Sequence, residues 1–139
     1  MKIYLASPLF TDEDIELIKK TEDILRGQGH IVYSPREKDF DDLGEGSRLW
    51  SSTIFDYDKK YLDWCQCVVM LYYGCFSDSG TAWEAGYAYG RGKPVVVVHV
   101  DGPSNLMVHE GCHTNISFDQ LADYDWDNMP INYYTGDMI

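Results

Sequence analysis

Residues 67–100 read CVVMLYYGCFSDSGTAWEAGYAYGRGKPVVVVHV, and this stretch decides the fold. It opens on an apolar run of strand length, Cys67 to Tyr73. It closes on a second run, Pro94 to Val100, apolar on both faces as in the interior of a parallel sheet. Between them Ser79 to about Arg91 reads as a helix, ended by Gly92 and Pro94. The same alternation extends outward. Lys2 to Ala6 is a first buried strand. Thr11 caps a helix whose first turn is acidic and whose face is marked by Ile15, Ile18, Ile24 and Leu25, stopping at Gly27 and Gly29. His30 to Tyr33 is a second strand, followed by a charged loop over residues 36–46.

The next helix runs from about Ser47 to Trp64, with Trp50, Ile54, Tyr57, Tyr61 and Trp64 on one stripe. His113 to Phe118 reads as a short fifth strand, then a short helix from Asp119 to Tyr124, then a tail without a clear period. Strands alternating with helices predict an α/β fold. It should be a doubly wound, flavodoxin- or Rossmann-like parallel sheet of about five strands with flanking helices, in one domain over residues 1–139.

The formal charge is −12. That balance argues against nucleic acid as a partner, because phosphate binding needs clustered Lys and Arg. A neutral small molecule suits the field better than a polyanion. The four cysteines show no C-x-x-C pairing of the zinc type. Cys65 and Cys67 are expected to be buried thiols pointing to one face, in a reducing compartment. With a first strand starting at Lys2 and no apolar run near ~20 residues, a cytoplasmic protein without signal peptide or membrane span is expected. The histidines lack metal-ligand spacing, and no metal or other cofactor is expected.

Open α/β sheets bind ligands beyond the carboxyl ends of their strands. Ser7 to Phe10, Pro35-Arg36 and Ser77 to Thr81 sit at those ends. From Ala82 to Gly90 the only charge is Glu84. A carboxylate in so apolar a helix loses hydration at a cost of roughly several kcal/mol unless something compensates it. Asp78 lies near enough to pair with it, and Asp58 is the acid of its helix that leans toward the apolar stripe. Two or three carboxylates around one crevice suit chemistry at an anomeric carbon, one attacking the sugar and another assisting the leaving group. The plainer reading stays open: Asp78 caps the helix, and Glu84 pairs with a surface lysine. Tyr4, Phe10 and Trp83 are positioned to stack on a planar base.

The residues carry a further likeness. Ile3 to Phe10 (IYLASPLF), Tyr33-Ser34-Pro35-Arg36, Asp58 four before Leu62, the block Asp78-Ser79-Gly80-Thr81-x-x-Glu84-x-Gly86-Tyr87-Ala88, Gly92-Lys93-Pro94 and Asn105-Leu106-Met107 occur in this order. Together they resemble the nucleoside 2-deoxyribosyltransferases over nearly the whole chain.

The resemblance implies 2′-deoxyribonucleosides and free nucleobases as substrates. Glu84 would be the nucleophile at C1′, Asp78 the acid/base and Asp58 the residue positioning the sugar on its 5′- or 3′-hydroxyl side. Asn105 would hold the sugar from a neighbouring subunit, and Met107, Tyr4, Phe10, Ser79 and Gly80 would line the substrate. It also implies a covalent deoxyribosyl intermediate, overall retention, no cofactor, and a homo-oligomer with sites shared across the interface. Some members end in an aromatic residue that orients the nucleophile, whereas this chain ends Gly136-Asp137-Met138-Ile139, with Tyr133 and Tyr134 upstream. The nearest alternative is a 2′-deoxynucleoside 5′-phosphate N-hydrolase, which passes the sugar to water.

Overall fold

The computed structural model describes the backbone of residues 1–139 and every side chain except that of Cys75. Five strands are present: β1 (Lys2–Ala6), β2 (Ile31–Tyr33), β3 (Cys67–Tyr72), β4 (Val95–His99) and β5 (Thr114–Ser117). The helices are α1 (Asp12–Gly27), α2 (Arg48–Trp64), α3 (Ser79–Gly90), α4 (Leu106–Glu110) and α5 (Phe118–Leu121). All strand pairs are parallel, in the order β2-β1-β3-β4-β5. The expected doubly wound sheet is therefore the observed one, and its strand order reverses between β1 and β3. That is the place where such a sheet opens a crevice at its carboxyl edge.

The alternation of side chains across β1, β3 and β4 builds two cores. Ile3, Leu5, Cys67, Val69, Leu71, Val96 and Val98 face one side with Ile18 and Leu25 of α1 and Leu121 of α5. Tyr4, Ala6, Val68, Met70, Tyr72, Val95 and Val97 face the other, with Leu62 of α2 and Ala85 and Ala88 of α3. β3 is buried along its whole length, as its position between β1 and β4 requires. Burying each of these aliphatic side chains stabilises the fold by roughly 1.5–3 kcal/mol.

Cys65 and Cys67 correct an expectation, because they lie in opposite cores. The strand starts only at Cys67, and Cys65 is the C-terminal cap of α2, so alternation does not relate the two. The charged loop is also more ordered than expected, with 3₁₀ turns over Pro35–Glu37 and Asp41–Leu43. The short helix α4, capped by Asn105, was not anticipated from the sequence. Among the described residues, no helix is long and apolar enough to cross a membrane.

Three local devices fix the elements that bear the candidate residues. Lys93 donates to the carbonyls of Leu62 and Asp63 at 2.7 and 2.6 Å, tying the C-terminus of α2 to the start of β4. Arg36 grips the buried Glu22 of α1 through two bonds, at 2.8 and 2.5 Å. Arg26 joins Glu22 to Glu37, so the turn after β2 is clamped onto α1. Gly74 adopts φ 63, and a Cβ there would come within 2.5 Å of the Pro103 carbonyl. Only glycine permits the loops after β3 and β4 to approach this closely.

Candidate active site

The N-terminus of α3 is shaped by Asp78. Its carboxylate accepts from the Thr81 amide at 3.0 Å and from the Thr81 hydroxyl at 2.9 Å, both through Oδ2. Gly80 lets the carboxylate fold over the helix start, since a Cβ there would sit 3.1 Å from Oδ2. Three residues after Thr81 comes Glu84. At 100° per residue it shares a face with Thr81, Ala85 and Ala88, all buried against the sheet. Glu84 therefore stands at the edge of the buried face, turned toward α2.

Between α2 and α3 lies a cavity of about 510 Å³. Trp50, Ile54 and Leu62 of α2 and Trp83 of α3 form its apolar walls, and Ser79, Gly80 and Lys59 contribute to its rim. Its two carboxylates are Asp58 and Glu84. A second crevice, of about 310 Å³, opens at the carboxyl ends of β1 and β2 between Leu9, Pro35, Lys38 and Phe40. Ile54 and Asp58 line both spaces and so form the partition between them. An apolar cleft of this size with a few convergent polar groups is the usual form of a small-molecule site.

Beneath the carboxylates are two phenols. Tyr4 and Tyr33 are cross-strand partners in the β1–β2 register, with ring centroids 5.4 Å apart. Tyr33 donates its hydroxyl proton to Asp58 Oδ1 at 2.9 Å. The Tyr4 hydroxyl is fully buried, and among the described residues it has no partner of ordinary hydrogen-bond geometry. It nonetheless lies close enough to Glu84 and Asp58 to feel both charges. A buried donor left unclaimed is costly, and its position under the cavity aims it at whatever Glu84 does.

The electrostatics follow from this crowding. Burial pushes Glu84 up to about 8, aided by repulsion from Asp58 and then Asp78 and opposed by Tyr4. Burial also raises Asp58, while the Tyr33 hydrogen bond opposes the rise. The Tyr4 and Tyr33 hydroxyls are driven far above the ordinary phenol range, first by burial and then by the adjacent carboxylates. A carboxyl whose ionisation is opposed by burial beside a second carboxyl is the pattern of a group matched to chemistry rather than to solvation. Among the described residues, no cluster of three or more His, Cys, Asp or Glu side chains is arranged to hold a metal ion.

The expected residues fall into three groups. Glu84, Asp58, Ser79 and Gly80 meet at one cavity, with Tyr4 beneath it. Asp78 caps α3 beside the cavity-lining Ser79 but lines neither cavity itself, so the structure gives it the plainer of its two expected roles. Phe10 is exposed on the β1–α1 loop and lines neither cavity. Asn105 and Met107 also lie outside both. Asn105 caps α4 by accepting from the Met107 amide at 2.9 Å, and its own amide donates to Tyr72 Oη at 2.9 Å. The chain's end travels with them: Ser104 exchanges backbone bonds with Asp137 and Ile139, each of 2.9 Å. Tyr134 stacks on His99 and His109 and lines neither of the two carboxylate-bearing spaces.

Sequence reasoning gave no role to Tyr33, nor to Trp50 and Ile54 beyond that of core. The available signal was the place of Tyr33 at the carboxyl end of its strand.

Comparison with known proteins places these features in context. The family described as Nucleoside 2-deoxyribosyltransferase matches residues 3–116. A nucleoside deoxyribosyltransferase of Lactobacillus leichmannii is 24% identical over 149 residues, spanning 96% of this chain and 95% of the relative. The solved 2-deoxyribosyltransferase of Bacillus psychrosaccharolyticus is 34% identical with a TM-score of 0.87, covering 97% of this chain and 100% of that one. A CMP N-glycosidase of Clostridium botulinum shares the fold alone, at 17% identity and a TM-score of 0.60, over 89% of this chain and 94% of that one.

Proposed function

The chain belongs to the nucleoside 2-deoxyribosyltransferase family, and from that premise we propose that it exchanges the base of 2′-deoxyribonucleosides through a covalent intermediate on Glu84. The ionised Glu84 carboxylate attacks C1′ while the C1′–N bond breaks and its electron pair leaves with the base. Asp78 supplies the proton the departing base takes up. Its Oδ2 is occupied by the helix cap, which leaves Oδ1 for that transfer. A second base then attacks C1′, Glu84 departs as carboxylate, and the proton returns to Asp78. Two displacements on one carbon give retention. Asp58 positions a sugar hydroxyl, and a base filling the space between the apolar walls displaces the water that would compete for the intermediate.

The observation that carries this reading is the pairing of Glu84 with Asp58 in one cavity above the unclaimed Tyr4 hydroxyl. Asn105 and Met107 stand exposed outside the cavity of their own chain, which fits a homo-oligomer in which each subunit completes its neighbour's site. The 5′-phosphate hydrolase reading needs a free cation at the site. Arg36 is committed to Glu22 through two bonds, and Lys59 is paired with Asp63 at 3.1 Å. Neither is available to a phosphate without breaking a bond already made, which leaves Lys38, lining the second crevice over the Tyr57 ring, as the cation a phosphate could meet there.

The test is incubation with deoxyinosine, with and without free adenine, followed by separation of the nucleosides. Appearance of deoxyadenosine together with hypoxanthine is expected only when adenine is present. Release of free deoxyribose with no exchange would sink the transferase reading in favour of a hydrolase.

A further inference from the structure

We propose that Tyr33 is a positioning residue that holds Asp58 and thereby reserves the Tyr4 hydroxyl for Glu84, a role that rests on the Glu84 and Asp58 assignments above. A phenol has a single proton to donate. Two phenols, made neighbours by the Tyr4–Tyr33 register, lie beneath two carboxylates carried by different helices. Tyr33 gives its proton to Asp58 Oδ1. Tyr4 gives its own to no group of ordinary geometry, although Glu84 and Asp58 are both near.

Tyr33 is held to its task by the helix it serves. Its ring stacks on Tyr61 at 3.9 Å between centroids and 3° between planes. Tyr61 is three residues beyond Asp58, on the same side of α2. The carboxylate and the clamp therefore move together, and the hydroxyl cannot leave Asp58 without unstacking. Remove that hydroxyl and Asp58 remains partly buried, with Tyr4 the neighbouring phenol able to donate to it. Tyr4 then turns to Asp58, and Glu84 loses the one nearby group that favours its ionised form. Tyr33 would thus act on the nucleophile without touching it.

The groups facing Asp58 are Tyr33 from β2, Tyr4 from β1, and Glu84 with Asp78 behind it from α3. Arg36 and Lys38 face it across the second crevice, while Lys59, Tyr57 and Tyr61 flank it on α2. Arg36 is neutralised by Glu22 and Lys59 by Asp63, Lys38 lies over the Tyr57 ring, and the Tyr33 bond is the contact that opposes the effect of burial on Asp58.

The experiment pairs Tyr33→Phe with site-specific 3-fluorotyrosine at the same position, each compared with wild type. Two readouts are taken: the pH profile of kcat/KM for base exchange, and the carboxyl titration of Asp58 by carbon-13 NMR in the absence of substrate. Tyr33→Phe keeps the stack and loses the donor. It is expected to lower kcat/KM roughly tenfold or more, the worth of one charge-assisted hydrogen bond, and to move both the acid limb and the Asp58 titration to higher pH. Fluorotyrosine is the stronger donor and should move the Asp58 titration to lower pH. An Asp58 titration that stays put in both proteins overturns the proposal, whatever happens to thermal stability. If Tyr33→Phe does not fold, the fluorotyrosine protein alone decides by the same criterion. Wild type without base exchange would defeat the transferase reading, and the NMR arm would still decide whether Tyr33 holds Asp58.

Discussion

Replacing Glu84 by Gln isolates the energetic consequence of placing a nucleophile in an apolar helix. Glutamine keeps the volume and the hydrogen-bonding ends of a neutral glutamic acid but cannot ionise. Glu84 is displaced from its ordinary 4.5 to about 8, chiefly by burial. Between those values the folded protein holds a proton that the unfolded chain has released. The folded state binds more protons, so the Glu84 contribution to stability falls as pH rises across that window. At about 1.4 kcal/mol per pH unit the full displacement corresponds to at most about 5 kcal/mol. The side chain borders an open cavity that water can enter, so a realised difference of about 2 kcal/mol is the more reasonable expectation. Wild type and Glu84→Gln should therefore melt together at pH 5. At pH 9 the variant should melt several degrees higher, given roughly 2–4 °C per kcal/mol for a chain of this size. Protomer concentration must be held constant, since association shifts melting. In the same samples base exchange should vanish in the variant, while in wild type kcat/KM should climb as pH rises toward 8. Parallel stability curves for the two proteins from pH 5 to 9 would refute the claim that burial strains Glu84.

Further expectations address the remaining groups. Asp58→Asn removes one of the charges that raise Glu84, so exchange should fall while the acid limb of its pH profile moves to lower pH; an unmoved limb would mean the two carboxylates do not communicate. Asp78→Asn should retain the cap and hence stability yet lose roughly 10²-fold or more in exchange rate, whereas Asp78→Ala should also lose about 1 kcal/mol in denaturant titration. Glu22→Ala leaves Arg36 and Arg26 without their shared partner and should cost about 2 kcal/mol; a neutral result in urea unfolding would show that the clamp on the β2 turn is dispensable. Gly74→Ala forces a Cβ onto the Pro103 carbonyl at positive φ and should cost roughly 1–3 kcal/mol, read as a lower melting temperature.

Much of this protein was legible in the chain because burial leaves a local periodic trace. The uninterrupted apolar runs at residues 67–72 and 95–98 are buried throughout and required partners on both sides, so the parallel sheet followed. The lone charge of α3 marked Glu84 because every other side chain from Ala82 to Gly90 is uncharged. The lean of Asp58 toward the apolar stripe was likewise a matter of helical angle, although the angle did not name Tyr33 as its partner. Where the trace is not periodic, reading failed. Cys65 does not share the face of Cys67, because it caps α2 and the strand alternation applies only from Cys67 onward, and α4, at five residues, is too short to show a period.

The sequence by itself determined the sheet and the helix that carries Glu84, since each depends on residues a few positions apart, and the net charge of −12, which is a matter of composition alone. Only the tertiary structure decided which polar groups meet. Register set Tyr33 beside Tyr4, the rotation of α2 brought Asp58 onto Tyr33, and Arg36 was drawn to Glu22 rather than left for a phosphate. Partners from distant elements leave no local pattern, because a hydrogen bond is satisfied or lost over tenths of an ångström while hydrophobic periodicity records only which side faces inward.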